Sequence, residues 1–126
     1  DFPYDVLKIV VLYQQRQHLA EPIRQRFLKM LDLGFVEEVK ALKARGDLSL
    51  QLPSMRCVGY RQIWEHLSGV TCFQQMIDNA VKATKQLAKR QYTWLRLEEA
   101  AHKYYLEQGN PTERILEKVR QFIYTD

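Results

Sequence analysis

Five positive side chains are concentrated in one stretch of this 126-residue sequence. No acidic residue occurs between Asp78 and Glu98. The same stretch carries Lys82, Lys85, Lys89, Arg90 and Arg96. Their summed charge exceeds the net charge of +4 of the whole chain, so the rest of the sequence is close to neutral. A local concentration of this kind is typical of a surface that binds a polyanion such as a nucleic acid.

Helical spacing predicts that four of these charges share one side of a helix. At about 100° per residue, Lys82, Lys85, Lys89 and Arg96 fall within about 60° of one another, along about 20 Å of helix. We call these four residues the basic row. An ordinary solvated helix side is the alternative, but such sides usually mix acidic with basic residues. The basic row therefore favours contact with several phosphates of a nucleic-acid backbone.

A second group of candidate residues surrounds a glycine. It consists of Arg56, Cys57, Val58, Gly59, Tyr60 and Arg61. An arginine can hold a phosphate with two parallel hydrogen bonds, a glycine lets a backbone approach closely, and a tyrosine can stack on a base. The segment therefore suits a nucleic-acid contact, although an arginine-rich loop that merely precedes a helix has the same composition.

Three further residues have two interpretations each. Gln91 is predicted on the apolar side of the long helix, where it either bonds to neighbouring backbone or faces a substrate cleft. Trp94 has the spacing of a core residue but also the chemistry of a platform on which a base can stack. Arg26, beside Phe27 on another predicted helix, is by its pattern a surface residue or one half of a salt bridge.

The elements that must position these residues are predicted from periodicity and from turn signals. A buried strand is predicted at Val6–Leu12, because few of its positions would face water. A second short strand is predicted at His102–Leu106. Helices are predicted at Leu19–Leu31, Val36–Leu42, Ile63–Leu67 and Cys72–Leu97, and from Thr112 onward.

Particular residues are expected to begin and to bury these helices. Thr71 is the predicted N-cap of the long helix, with Gln74 at the spacing of a capping box, and Thr112 is the predicted N-cap of the last helix. The predicted apolar side of the long helix consists of Met76, Ala80, Ala83, Leu87 and Trp94, with Ile77, Thr84 and Leu95 beside them.

Composition adds expectations about the compartment. The chain is 46% hydrophobic, yet it has no run of 18 apolar residues and no signal peptide at its start, so we expect a soluble, cytoplasmic protein. Cys57 and Cys72 lack the spacing of a zinc site or of a disulfide framework and are expected to be free thiols. The absence of an initiator methionine suggests an excised piece.

Three segments carry a resemblance to a known family: GFVEEVKAL, LPSMRCVGYRQIWEHLSG and ATKQLAKRQYTWLR. In this order they resemble the C-terminal half of bacterial tRNA dimethylallyltransferases, also called tRNA isopentenyltransferases. The resemblance runs from about Val6 to Arg96 and is most specific in PSMRCVGYRQ and QLAKRQYTWLR. It implies that residues 1–126 are the C-terminal part of the catalytic core domain of such an enzyme.

The resemblance also implies a fold. The family has an α/β fold like that of P-loop NTPases, a parallel sheet flanked by helices, and this chain is expected to be mostly α with one or two strands. Because the sequence contains no GxxxxGK[ST] loop, the P-loop half is expected to lie outside it, together with most of the helical insertion domain and the aspartate that acts as general base.

The family transfers a dimethylallyl group from dimethylallyl diphosphate to N6 of the adenosine 3′-adjacent to the anticodon, with Mg²⁺. By resemblance, Arg26 in IRQRF occupies the position of the arginine that holds the diphosphate. The segment from Arg56 to Arg61, defined above, matches residues that contact tRNA. Further tRNA contacts are implied for Lys85, Lys89, Arg90, Gln91, Thr93, Trp94 and Arg96. Lys85 stands where relatives often have arginine, which keeps the charge but loses the two-pronged geometry.

The expected partner is the anticodon stem-loop of a tRNA, and neither DNA nor a membrane is expected. Mg²⁺ and dimethylallyl diphosphate are expected in the full-length enzyme, and no cofactor or catalytic residue is assigned to the chain by itself. The full-length enzyme is expected to be monomeric, whereas the chain alone is expected to be inactive and to self-associate through unpaired strand edges. The alternatives are a stand-alone RNA-binding module and a helical protein-interaction module, both without catalysis.

Overall fold

The structure, a computed structural model, describes residues 3–124, which fold into five α-helices and two short β-strands. The strands are β1 (Ile9–Leu12) and β2 (His102–Tyr105). The helices are α1 (Ala20–Asp32), α2 (Phe35–Ala44), α3 (Tyr60–Leu67), α4 (Phe73–Arg96) and α5 (Thr112–Ile123). This mostly helical fold with one small sheet confirms the predicted class. Among these helices none has the length and the apolar character needed to cross a membrane.

The chain divides into two compact units, each described by itself below. One unit comprises residues 17–89, and the other comprises the residues before them together with those from Arg90 onward. The first contains α1, α2, α3 and most of α4, and we call it the helical unit. The second contains β1, β2, α5 and the last residues of α4, and we call it the sheet unit.

The helical unit is held together by one apolar core. Its buried members are Phe27, Phe35, Val39, Ile63, Met76, Ile77, Ala80 and Val81. The ring of Phe35 meets the rings of Phe27 and Tyr60 edge to face, with ring centroids 6.3 Å and 4.9 Å away. Burial of aliphatic and aromatic side chains of this size contributes about 1.5–3 kcal/mol each to folding, so the core fixes how α1, α2 and α3 pack.

In the sheet unit, β1 and β2 pair in parallel, with Ile9 opposite His102 and Leu12 opposite Tyr105. The predicted second strand is confirmed, but the prediction of a buried strand beginning at Val6 was wrong. The strand begins at Ile9, and Val6 is 56% exposed. Because the described sheet has only two strands, alternate side chains of β1 point to solvent.

Two predicted helix caps lie at the wrong residue. The α4 cap is Cys72, whose carbonyl accepts from the Met76 N–H, while Gln75 Oε1 accepts from the Cys72 N–H at 2.9 Å. The Thr71 hydroxyl is instead buried without a partner among residues 3–124. Before α5, the side chain of Asn110 accepts from both the N–H and the hydroxyl of Thr112. In both places the side chain of a neighbouring polar residue accepts a hydrogen bond from an N–H group at the start of the helix. Spacing alone therefore misplaced the cap by one or two positions.

Candidate functional site

The helical unit contains a groove of about 640 Å³ between α1, the loop before α3, and α4. Most of its lining is apolar, and two arginines also line it. The lining residues are Leu19, Pro22, Ile23, Arg26, Phe27, Met30, Arg56, Cys57, Val58, Gly59, Thr84 and Leu87. The volume is within the range of ordinary small-molecule sites.

One side of α1 forms a wall of this groove. Leu19, Ile23, Arg26 and Met30 follow one another at intervals of four, three and four residues, which places them on one side of a helix. Arg26 is therefore the single charged member of an otherwise apolar row. The predicted helix is confirmed, and the chain turns at Gly34, which has φ of +97° and an N–H that bonds to the Leu31 carbonyl.

The loop opposite α1 takes its shape from Gly59. Its φ of +95° is a conformation that favours glycine, and a Cβ there would lie 2.9 Å from a ring carbon of Phe35. The buried side chain of Gln62 accepts a hydrogen bond from the Gly59 N–H at 2.7 Å. The backbone is thereby held against the core, and the residues just before Gly59 are left to line the groove.

Tyr60 and Arg61, which belong to the same predicted segment, have other partners. The Tyr60 hydroxyl donates to Glu38 Oε1 at 2.5 Å, and this hydrogen bond is the largest cause of a raised Tyr60 pKa. Arg61 forms an ion pair with Glu65 one turn later, with Nε and Oε1 3.0 Å apart. Neither residue is part of the groove lining. The structure thus divides the predicted segment into groove residues and residues that support α3.

The arginines of the helical unit differ in their partners. Arg24, Arg45 and Arg61 each pair with an acidic residue within 3.2 Å. The guanidinium groups of Arg26 and Arg56, by contrast, have no hydrogen-bond or ion-pair partner among residues 3–124. These two arginines are also the two that line the groove. An apolar groove with two unpaired guanidinium groups suits an anion that carries an apolar group.

The part of α4 in the helical unit carries Lys82, Lys85 and Lys89, all exposed as the basic row predicts. On the same helix, Thr84 and Leu87 line the groove. The Thr84 hydroxyl donates to the Ala80 carbonyl at 2.8 Å, so this side chain presents mainly its methyl group. Leu87 is 37% exposed and was wrongly predicted as a core residue.

The last residues of α4, in the sheet unit, are almost all exposed. Exposed are Arg90, Gln91, Thr93, Trp94 and Arg96. The prediction that Gln91 lies at the centre of the buried side was therefore wrong, and Trp94 is 75% exposed rather than a core residue. Met76, Ala80 and Ile77, which were predicted on the apolar side or beside it, are buried, and so are Val81 and Tyr92, which were not predicted there. The predicted apolar side is thus confirmed at Met76 and Ala80 and was wrong at Leu87 and Trp94.

Tyr92 is the anchor of this segment. Its hydroxyl accepts a hydrogen bond from the Tyr13 N–H at 2.8 Å, and burial is the largest cause of its raised pKa. The next two N–H groups, of Gln14 and Gln15, donate to the carboxylate of Glu107 at 2.9 and 3.0 Å. Side chains thus accept hydrogen bonds from three successive N–H groups after β1. The sequence did not predict this role for Tyr92 or Glu107.

The apolar residues of α1 that line the groove were not among the binding residues predicted from the sequence. Leu19, Ile23 and Met30 carry a signal, because their spacing marks one side of α1, but the same spacing describes a core-facing side. The two cysteines are free thiols, as predicted. Within residues 3–124 no group of three His, Cys, Asp or Glu side chains converges.

Together, the helical fold, the parallel strand pair and the arginine-bearing groove define a helix-rich part of an α/β protein that can hold an anionic, partly apolar ligand. Residues 1–98 match the family model described as IPP transferase, and the chain belongs to that family.

Two solved structures share the fold. A tRNA isopentenylpyrophosphate transferase from Bacillus halodurans is 26% identical, with a TM-score of 0.80 over 96% of this chain. A tRNA delta(2)-isopentenylpyrophosphate transferase from Staphylococcus epidermidis is 26% identical, with a TM-score of 0.82 over 97% of this chain. The chain spans 39% of the length of each of these proteins.

Proposed function

We propose that this chain is the diphosphate-holding and RNA-contacting part of a tRNA prenyltransferase. The reaction is transfer of a dimethylallyl group from dimethylallyl diphosphate to N6 of the adenosine 3′-adjacent to the anticodon. Membership of the IPP transferase family and the likeness to two tRNA isopentenylpyrophosphate transferases support prenyl transfer to tRNA. The observation that carries the role of this chain is the apolar groove lined by Arg26 and Arg56, whose guanidinium groups have no partner among residues 3–124.

In this reaction the N6 amine forms a bond to C1 of the allylic group while the bond from C1 to the diphosphate oxygen breaks. The diphosphate leaves with the electron pair, and the amine loses one proton. Negative charge therefore develops on the leaving oxygen, where permanently charged guanidinium groups stabilise it. Arg26 is the proposed main contact, and the apolar lining receives the hydrocarbon part of the donor.

The RNA contacts are proposed separately for the two units. In the helical unit they comprise Arg56 and the exposed lysines Lys85 and Lys89, which would neutralise backbone phosphates. In the sheet unit they comprise Arg90, Gln91, Thr93, Trp94 and Arg96. The exposed indole of Trp94 supports a base contact, since stacking on an aromatic ring is a common way to hold an unpaired base.

The same indole also favours a second candidate function, RNA binding without catalysis. The two candidates differ in one measurement. The natural full-length protein, mixed with dimethylallyl diphosphate and an anticodon stem-loop, transfers the prenyl group under the first and only binds the RNA under the second. The 126-residue chain alone is expected to transfer none, because its sequence lacks the GxxxxGK[ST] loop.

Arg26→Ala in the natural full-length protein tests the role of the groove. We expect kcat/KM for prenyl transfer to fall roughly 10- to 100-fold, since a charged hydrogen-bonded contact contributes about 1.5–3 kcal/mol. The matched control is Arg24→Ala, also on α1, whose guanidinium pairs with Asp78 instead. Retention of activity within about threefold is expected for the control. Equal losses in the two variants would contradict the proposed role of Arg26.

A further inference from the structure

We propose that Gln62 is a positioning residue, which sets the place of the Arg56 guanidinium in the groove and thereby the affinity for RNA. This inference rests on the proposed function, which assigns an RNA phosphate contact to Arg56. It goes beyond that function because Gln62 is not among the residues that line the groove. Gln62 would act only through residues 56–59, all of which line the groove and which we call the groove loop.

The place of Arg56 in the groove depends on the backbone of the groove loop. Arg56 is exposed, and its guanidinium has no hydrogen-bond or ion-pair partner among residues 3–124. Its N–H donates to the carbonyls of Leu52 and Pro53, both at 3.2 Å, within the same run of turns. Because no bond within the described residues fixes the guanidinium itself, its place follows that of the backbone that carries it.

Gln62 holds the end of this loop from the buried side. Gln62 is 8% exposed, and its Oε1 accepts from the Gly59 N–H at 2.7 Å. Gly59 is also buried, and its backbone lies so close to the core that an added Cβ would come within 2.9 Å of the Phe35 ring. A buried N–H that loses its acceptor is costly, so without this oxygen the backbone at Gly59 would shift toward another partner or water.

A shift at Gly59 would extend along the groove loop. The Arg61 N–H donates to the Cys57 carbonyl at 3.1 Å, and the Ile63 N–H donates to the Gly59 carbonyl at 3.0 Å. Together with the Gln62 bond, these hydrogen bonds join the groove loop to the first turn of α3. The Gln62 bond is the one of the three that a side chain makes. A substitution at Gln62 can therefore release the loop while the backbone groups of the other two bonds stay in the protein.

The test uses Gln62→Met in the natural full-length protein, with binding of an anticodon stem-loop measured by fluorescence anisotropy. Methionine is unbranched and of similar length but lacks the acceptor oxygen, and both side chains are uncharged. We expect affinity to fall about fivefold and the dependence of log K on log salt to become shallower by up to about one unit, because the Arg56 phosphate contact is weakened. A purely structural role for an uncharged residue would not change the salt dependence.

Three further variants locate the effect. Gln62→Glu keeps an acceptor oxygen at the third helical position, where a carboxylate is favourable, and should keep affinity within about threefold of the wild type. In the Arg56→Ala background, Gln62→Met should change affinity by less than about twofold, because the contact through which Gln62 acts is already lost. The matched control is Ile63→Val at the next residue, which is 0% exposed. It destabilises the core without removing a bond to the groove loop, so affinity and salt dependence should stay unchanged.

The role of Gln62 is overturned if Gln62→Met leaves affinity or salt dependence unchanged, if its loss persists in the Arg56→Ala background, or if Ile63→Val causes the same loss. Gln62→Asn, which withdraws the acceptor by one methylene group, should give the same pattern if Gln62→Met fails to fold. These outcomes are separate from a failure of the proposed function. That function fails if the wild-type protein transfers no prenyl group to the anticodon stem-loop, whatever the Gln62 variants do.

Discussion

Two segments of this chain carry the strongest family resemblance, and the structure uses their side chains in opposite ways. In Pro53–Gln62, the buried residues Met55, Gly59 and Gln62 hold the loop and the start of α3 against the core. In Gln86–Arg96, Tyr92 is the buried anchor among side chains that mostly face solvent. The first segment mainly builds a site, whereas the second mainly presents side chains.

The difference teaches that a matching segment does not by itself identify the contacting residues. Arg56 and Arg61 lie in the same segment, but Arg56 lines the groove with no partner among the described residues, whereas Arg61 pairs with Glu65. Substitutions in the first segment should therefore act mostly through stability, and substitutions in the second mostly through binding.

Gly59→Ala should destabilise the first segment, with the largest loss of stability among the variants proposed for the two segments. The new Cβ would meet the Phe35 ring at 2.9 Å in a backbone conformation that L-residues rarely adopt. We expect the free energy of unfolding to fall by about 4 kcal/mol from strain and overpacking together. Urea unfolding followed by circular dichroism measures this change.

Gly69→Ala is the matched control for Gly59→Ala. Gly69 also has a positive φ, of +79°, but nothing lies within 4 Å of a Cβ placed there. Only the backbone term remains, so we expect a loss of about 1 kcal/mol. If the two variants lose the same stability, the close approach of Gly59 to the core does not matter.

Arg56→Ala should reveal the contacting part within the first segment. Its guanidinium has no partner to lose among the described residues, so the stability of the protein should change by less than about 0.5 kcal/mol. We expect the affinity for an anticodon stem-loop to fall about tenfold, and the dependence of log K on log salt to become shallower by about one unit. Arg61→Ala, which removes an ion-paired arginine, should weaken binding less than about threefold. A greater loss for Arg61→Ala than for Arg56→Ala would reverse this division of the segment.

The second segment is tested by a pair of aromatic substitutions in the sheet unit. Trp94→Ala removes an exposed indole, so we expect RNA affinity to fall about tenfold, by the loss of one base-stacking contact, with little change in stability. Tyr92→Phe removes the acceptor for the Tyr13 N–H and should cost about 1 kcal/mol of stability without changing RNA affinity. Fluorescence anisotropy and urea unfolding separate the two effects. RNA binding that responds to Tyr92→Phe but not to Trp94→Ala would contradict the assignment.

Periodicity predicted much of this fold but placed side chains less well. The five helices and β2 lie close to their predicted ranges, and β1 is three residues shorter than predicted, because apolar spacing is a local signal but strand ends depend on pairing. Leu87, Gln91 and Trp94 were wrongly placed on the buried side of α4, because helical spacing is the same whether a residue packs in a core or faces solvent. Packing partners from distant parts of the chain decide between these outcomes.

The candidate site was predicted only in part, for a related reason. Arg26 entered through resemblance alone, and its place in the same groove as Arg56 depends on how α1 and the loop before α3 pack. Sequence spacing does not show that Arg24 pairs with Asp78 while Arg26, two residues later, has no partner in the part of the chain that the structure describes. The contrast between paired and unpaired arginines is a property of the tertiary structure.

The smallest expected effect compares Tyr60 of the first segment with Tyr92 of the second at alkaline pH. A hydrogen bond to Glu38 is the largest cause of the raised Tyr60 pKa, whereas burial is the largest cause of the raised Tyr92 pKa. Because each folded pKa lies above the unfolded value of about 10, both tyrosines contribute stability that is fully present below pH 10. That contribution is lost as the pH rises through the folded pKa values, since the unfolded chain releases its phenol protons first.

Glu38→Gln separates the two tyrosines. It removes the charged acceptor, so the Tyr60 pKa should fall toward its usual value while the Tyr92 pKa stays raised. Urea unfolding measured from pH 8 to pH 11 should therefore lose less stability in Glu38→Gln than in the wild type. Tyr92→Phe should also reduce that loss, but through the sheet unit. Identical pH profiles for Glu38→Gln and the wild type would show that the Tyr60 pKa does not depend on Glu38. The hydrogen bond from Tyr60 would then add nothing to the stability that the buried residues give the first segment.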